Sequence, residues 1–133
     1  MKMDQQEFLN KYTKHLNAKQ LEAVRTVDGA VLLLAVPGSG KTTVLVNRLG
    51  YMIYCAGIQP EEILTLTYTV SATQDMSERF ESIFGEELHG RLEFRTINGI
   101  CAKIITRYGQ MIGKPAFQLI TDDKESPYFK SLT

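Results

Sequence analysis

Five consecutive residues, Gly38-Ser39-Gly40-Lys41-Thr42, carry the clearest chemistry in this chain. Glycines at 38 and 40 admit backbone conformations and close approaches that a Cβ hinders. Successive N–H groups can therefore curl around an anion where a helix begins and its dipole favours negative charge. A lysine at the end of such a turn reaches the β- and γ-phosphates of a nucleotide, and the hydroxyl after it ligates Mg²⁺. That assigns Gly38, Ser39, Gly40, Lys41, Thr42 and the adjoining Thr43 to nucleotide binding, with Lys41 as the catalytic charge and Thr42 as the metal ligand. The usual pattern G-x-x-x-x-G-K-[ST] begins with glycine, and that position is Ala35 here. Ala35 and Pro37 both precede the donors, so neither departure removes an N–H from the cradle.

A strand, a turn and a helix must hold such a loop. Ala30 to Val36 (AVLLLAV) is a continuous apolar run bounded by Gly29 and Pro37, which predicts a strand buried on both faces. From Lys41 to about Tyr54, Val44, Leu45, Leu49, Met52 and Ile53 recur at helical spacing. Upstream, Asp4 with Glu7 can open one helix and Asn17 with Gln20 a second, which Gly29 ends. Downstream, ILTLTY (63–68) reads as a strand. The helix after it has Ser71 and Gln74 at capping-box spacing and Met76, Phe80, Ile83 and Phe84 on one face. LEFRT (92–96) is a weaker strand, and Ile97, Ile100, Cys101, Ile104, Ile105 and Tyr108 mark another helix. Alternating strands and helices predict an α/β domain with a mainly parallel sheet.

A length of 133 residues suits one domain, and 44% hydrophobic with 23% charged residues is ordinary for a globular protein. Fifteen Lys and Arg balance fifteen Asp and Glu, so any nucleic-acid contact must be local rather than a broad basic field. Cys55 and Cys101 lack metal-ligand spacing and are expected to be buried thiols in a reduced, cytoplasmic protein. The opening MKMDQQEFLNKY has no apolar core of a signal peptide, and no apolar run approaches the roughly 20 residues a membrane span needs.

Gln20 admits two readings. It can complete a capping box with Asn17, or its amide can donate to and accept from an adenine edge. The segments LNAKQLEAV, LLLAVPGSGKTTVLVNRLGYMI, ILTLTYTVSATQDMSERF and FRTINGICAKII, in this order, resemble four motifs of the UvrD/PcrA/Rep group of superfamily-one DNA helicases, over roughly residues 14–110. The resemblance implies a RecA-like phosphate-loop fold of three layers. Residues 1–112 would be the front of its first ATP-binding domain, and residues 113–133 the start of an inserted helical subdomain. ATP and Mg²⁺ are the implied cofactors, Gln20 the adenine reader, and single-stranded DNA or a duplex junction the implied partner of a monomeric chain.

The third family motif, T-F-T-N-K-A-A, is Thr67-Tyr68-Thr69-Val70-Ser71-Ala72-Thr73 here, and the fourth, T-F-H-S, is Thr96-Ile97-Asn98-Gly99. The resemblance makes Thr67, Tyr68, Thr69, Thr96 and Asn98 candidate DNA contacts. Tyr68 is otherwise a core aromatic, and Asn98 a helix cap. Arg48 matches a family arginine or is a solvated surface charge. Val70 and Ser71 replace a polar and a basic contact. The family's hydrolytic carboxylates and arginines lie downstream, and Asp122 and Asp123 make a poor substitute, because Gln118 interrupts the run before them. The leading expectation is thus the ATP-binding front segment of a 3′–5′ helicase, without turnover by itself. The alternatives are a small phosphate-loop kinase, which would use Asp122 and Asp123, and a non-hydrolysing nucleotide-binding module.

Overall fold

The computed structural model describes residues 2–114, so Asp122 and Asp123 lie outside the described residues. In chain order the elements are α1 (Gln5–Tyr12), α2 (Ala18–Arg25), α3 (Lys41–Tyr54), β1 (Leu64–Thr67), α4 (Val70–Phe84), β2 (Glu93–Thr96) and α5 (Ile97–Tyr108). Short 3-10 turns occupy Pro60–Glu62 and Gly109–Ile112. The chain forms two compact units, one running to Ile97 and the other beginning at Asn98.

Capping chemistry sets the helix starts. The Asp4 carboxylate accepts from the N–H groups of Gln6 and Glu7, satisfying donors that an α1 turn leaves open. Asn17 and Gln20 form the reciprocal capping box of α2. That helix ends at Arg25, ahead of Gly29, with Thr26 as its C-cap. The cap of α4 is Thr69, whose Oγ1 accepts from the Ala72 N–H at 3.1 Å. The expected start at Ser71 is therefore corrected by two residues. Thr69 already has extended backbone there, as a cap requires, while Ser71 is inside the helix.

Helix α3 is the central element. Val44 and Tyr51 join Phe8, Ala23, Val24 and Cys55 in one apolar cluster with α1 and α2. Val46 and Leu49 join Ile63, Met76 and Phe80 in a second cluster with α4. A helix buried on two sides needs a small residue where a neighbour comes closest, and that residue is Gly50. A Cβ there would overlap the Phe84 ring of α4. Gly50→Ala is expected to destabilise the chain by about 2 kcal/mol, the usual size of an overpacking penalty. A urea midpoint equal to that of the parent would show that Phe84 simply rotates aside.

The sheet consists of β1 and β2, paired in parallel with Leu64 opposite Glu93 and Thr67 opposite Thr96. Parallel pairing and α/β character are as the sequence predicts. The expected strand Ala30–Val36 is corrected: among the described residues it has no ladder partner and is not a strand. Leu32, Leu34 and Val36 are 82%, 83% and 71% exposed, while Leu33 packs on the first cluster. This alternation is that of extended chain with one face covered. A strand buried on both faces needs hydrogen-bonded neighbours, and β1 and β2 are bonded to each other instead.

The two cysteines differ. Cys55 is buried, and burial, with Asp4 nearby, pushes its thiol pKa up. Cys101 is exposed, which corrects the expectation that both are covered. It sits on α5, where Ile104, Ile105 and Tyr108 are also exposed. No described helix is long and apolar enough to cross a membrane.

Candidate nucleotide site

Gly38 and Gly40 have φ of 78° and 84°, a left-handed conformation that any side chain would strain. Between them, Ser39 N–H donates to Val36 O at 3.2 Å, closing the turn that brings the chain to α3. Gly40 is the N-cap of α3 and carries no side-chain cap. The first bond back into the helix runs from Val44 N–H to Gly40 O at 3.1 Å. The N–H groups of Lys41, Thr42 and Thr43 precede it and are the open donors of the helix N-terminus. Lys41 is exposed, and Thr42 and Thr43 are half-buried. No acidic residue stands in the first turn of α3. An anion placed there meets N–H dipoles and a lysine, with no carboxylate in that turn to repel it.

Gln20 is held in one orientation by two bonds. Its Oε1 accepts from Asn17 N–H at 3.0 Å, and its Nε2 donates to Ser39 O at 3.1 Å. Flipping the amide would break both. A glutamine amide has two donors and two lone pairs. These contacts use one of each, leaving one donor and one acceptor unused at the edge of the phosphate loop. The two readings of Gln20 are therefore compatible, since the capping box fixes the group that remains available.

Arg48 is half-buried, with its Nε shielded from solvent. Its Nη2 donates to Thr26 O at 2.9 Å. It is not a freely solvated side chain. Neither this bond nor that between Gln20 and Ser39 is legible from local spacing, because each joins residues about twenty positions apart. Asn47 is fully buried, with Nδ2 donating to Thr43 O at 2.9 Å inside α3.

A second group of candidates lies at the carboxyl ends of β1 and β2, the edge where open α/β sheets take ligands. Thr67 and Thr96 are register partners there. Tyr68 follows β1 and is 89% exposed, so the core-aromatic reading is set aside. Thr67 Oγ1 donates to Thr69 O at 3.1 Å and lies 2.5 Å from Thr73 Oγ1, while the Thr69 hydroxyl caps α4. The Thr67 hydroxyl thus gives its proton within the turn, whereas the Thr69 oxygen accepts from the Ala72 N–H, a bond that does not use the Thr69 hydroxyl proton. Asn98 is the second residue of α5 and is exposed.

The perturbed ionisations among surface pairs lie elsewhere. Glu61 is lowered by its hydrogen bonds from Arg91, which it raises in turn, and His89 is raised by its bond to Glu81. These pairs fasten residues 89–91 to the Pro60–Glu62 turn and to α4. Among the described residues no three His, Cys, Asp or Glu side chains gather as a metal cage.

Comparison with known proteins bears on the segment as a whole. One relative, the ATP-dependent DNA helicase PcrA of Staphylococcus epidermidis, is 37% identical over 105 residues, covering 79% of this chain and 14% of that protein. The PcrA of Staphylococcus aureus is 33% identical over 105 residues with the same coverage. The chain thus spans about one seventh of the length of these curated relatives. Residues 16–133 match the UvrD/REP helicase N-terminal domain, and the chain belongs to that family.

Proposed function

We propose that this chain is the ATP-binding front segment of a DNA helicase that translocates 3′ to 5′ on single-stranded DNA and unwinds duplex. The observation that carries the nucleotide reading is the pinned Gln20 amide, hydrogen-bonded to Ser39 of the phosphate loop itself. Adenine offers an acceptor at N7 beside a donor at N6, complementary to the donor and acceptor that Gln20 has left. Guanine offers an acceptor in place of that donor, so its O6 would face the amide oxygen. ATP should therefore bind more tightly than GTP.

The triphosphate would lie against the N–H groups of Gly38 and of Gly40 to Thr43, that of Ser39 being bonded to Val36 O. Lys41 adds a charge to the β- and γ-phosphates, and the Thr42 hydroxyl is the protein oxygen available to Mg²⁺. Among the described residues no acidic cage gathers, and Mg²⁺, which keeps most of its shell as water and phosphate oxygen, does not require one. When bound, it would neutralise phosphate charge. Hydrolysis also needs a carboxylate to position water and an arginine for the developing charge. We place those groups outside residues 1–112, in the rest of a RecA-like three-layer domain and a second motor domain. The segment 113–133 would be the entry to an inserted helical subdomain. By itself the chain is a monomeric cytoplasmic module that binds nucleotide weakly without turnover. In the longer protein, two RecA-like lobes closing on ATP and opening after hydrolysis would alternate their grips on the strand.

Exposed Tyr68 supports the DNA reading, since base stacking on an open aromatic is tolerant of sequence. Thr69 and Thr96 would donate their hydroxyl protons to phosphates, Thr67 would do so on giving up its bond to Thr69 O, and Asn98 would add a hydrogen bond. Tyr68→Ala is expected to weaken binding of an oligothymidine about tenfold at fixed salt, within the ~1–3 kcal/mol of one stacked base. Fluorescence anisotropy reads it directly. Equal affinity of the two chains for the oligonucleotide would remove Tyr68 from the DNA track.

A further inference from the structure

Helix α2 is tied at its first turn to the nucleotide-binding turn and at its end to α3. At its first turn, Gln20 Nε2 reaches Ser39 O at 3.1 Å. At its last, the Thr26 carbonyl accepts from Arg48 Nη2 at 2.9 Å, and Arg48 belongs to α3, the helix that the phosphate loop begins. Between these ties, the only buried residues of the eight-residue helix are Ala23 and Val24. Two small side chains fix which face is covered, but constrain rotation and sliding along α3 weakly. Directional bonds at the two ends do constrain them.

The chemistry at the Thr26 end suits a cation. Thr26 is the C-cap, and its N–H and Oγ1 both bond to Glu22 O. Its own carbonyl has no helical partner and stands at the negative end of the helix dipole. A guanidinium there makes a charge-assisted hydrogen bond. Nothing in ATP recognition itself requires Arg48, which is a full turn and more into α3 from the loop.

We infer that Arg48 is a positioning residue for base selectivity: by holding the end of α2 to α3, it keeps the Gln20 amide in register with the phosphate loop. The inference rests on Gln20 reading adenine and goes beyond it. It makes one outcome specific. The phosphate cradle belongs to the loop and α3, so removing the α2 tie should spare triphosphate binding and erode the preference for adenine.

The test uses the 133-residue chain, titrated calorimetrically with MgATP, MgGTP and magnesium tripolyphosphate. Arg48→Met keeps the aliphatic stem and removes the donors, and Arg48→Lys retains one cationic donor. For Arg48→Met the ATP-over-GTP preference is expected to fall about fivefold, the equivalent of one hydrogen bond of ~1 kcal/mol. Tripolyphosphate affinity should stay within about twofold, and Arg48→Lys should recover part of the preference. An unchanged ATP-over-GTP ratio in Arg48→Met overturns the inference. So does a parallel loss of all three ligands, which would mean that Arg48 only stabilises the fold. A parent chain that binds tripolyphosphate but has no preference for ATP would instead defeat the adenine reading of Gln20.

Discussion

Lys41→Ala is expected to lower the affinity of the chain for MgATP by about ten- to a hundredfold and leave its thermal transition without ligand unchanged. Lys41 is exposed at the start of α3 and makes no ion pair among the described residues, so the fold loses nothing with it. What is lost is a charge-assisted bond to phosphate, worth about 1.5–3 kcal/mol. Each 1.4 kcal/mol is a factor of about ten in affinity. The backbone donors of the loop remain, so weak binding persists. Calorimetric titration of both chains checks it. An affinity in Lys41→Ala equal to the parent's would mean that ATP is held somewhere other than the loop.

The second large effect concerns the fold rather than the ligand. Phe80 is 2% exposed and packs with Val46, Leu49, Ile63 and Met76, so it joins α4 to α3 and to the approach to β1. Its ring lies 4.9 Å from that of Phe84 and 6.4 Å from that of Phe94 in β2. Phe80→Ala removes a ring from the middle of this cluster and leaves a cavity, at a cost of about 3–5 kcal/mol. A domain of this size holds only about 5–15 kcal/mol in total. The variant is expected to lose most or all of its cooperative melting transition. A melting temperature within two or three degrees of the parent's would show that α4 is not held by this cluster. Tyr68→Ala is the contrast: on the same stretch of chain, but 89% exposed, it should leave the transition where it is.

These two expectations mark what the sequence made legible and why. The loop was readable because its chemistry is local. Two glycines, a lysine and a threonine at fixed spacing specify backbone conformation and charge within five residues, and Gly38 and Gly40 do take positive φ. The helices were readable for the same reason. Lys41 to Tyr54 follows from apolar periodicity, and Asn17 with Gln20 from the capping box. The α4 start is ambiguous in the sequence because Thr69 and Ser71 both suit a cap, and only the extended backbone at Thr69 decides between them. The run Ala30 to Val36 departs from its expected strand for a deeper reason. Apolar character says that a segment can be buried, whereas a strand exists only by pairing, and pairing is not a property of the segment. Cys101 illustrates the same limit, since an apolar stripe on α5 predicts a covered face but not what covers it. The ties from Gln20 to Ser39 and from Arg48 to Thr26 join residues that tertiary packing brings together, so no spacing announces them.

Residues 38–43 are expected to hold the triphosphate. The most direct test is to follow the backbone amide signals of the ¹⁵N-labelled chain as MgATP is added. The amides of Gly38 to Thr43 should move first and furthest, with the Gln20 side-chain amide moving for ATP and not for tripolyphosphate. Saturable shifts confined to other parts of the chain, with Gly38 to Thr43 unmoved, would contradict it.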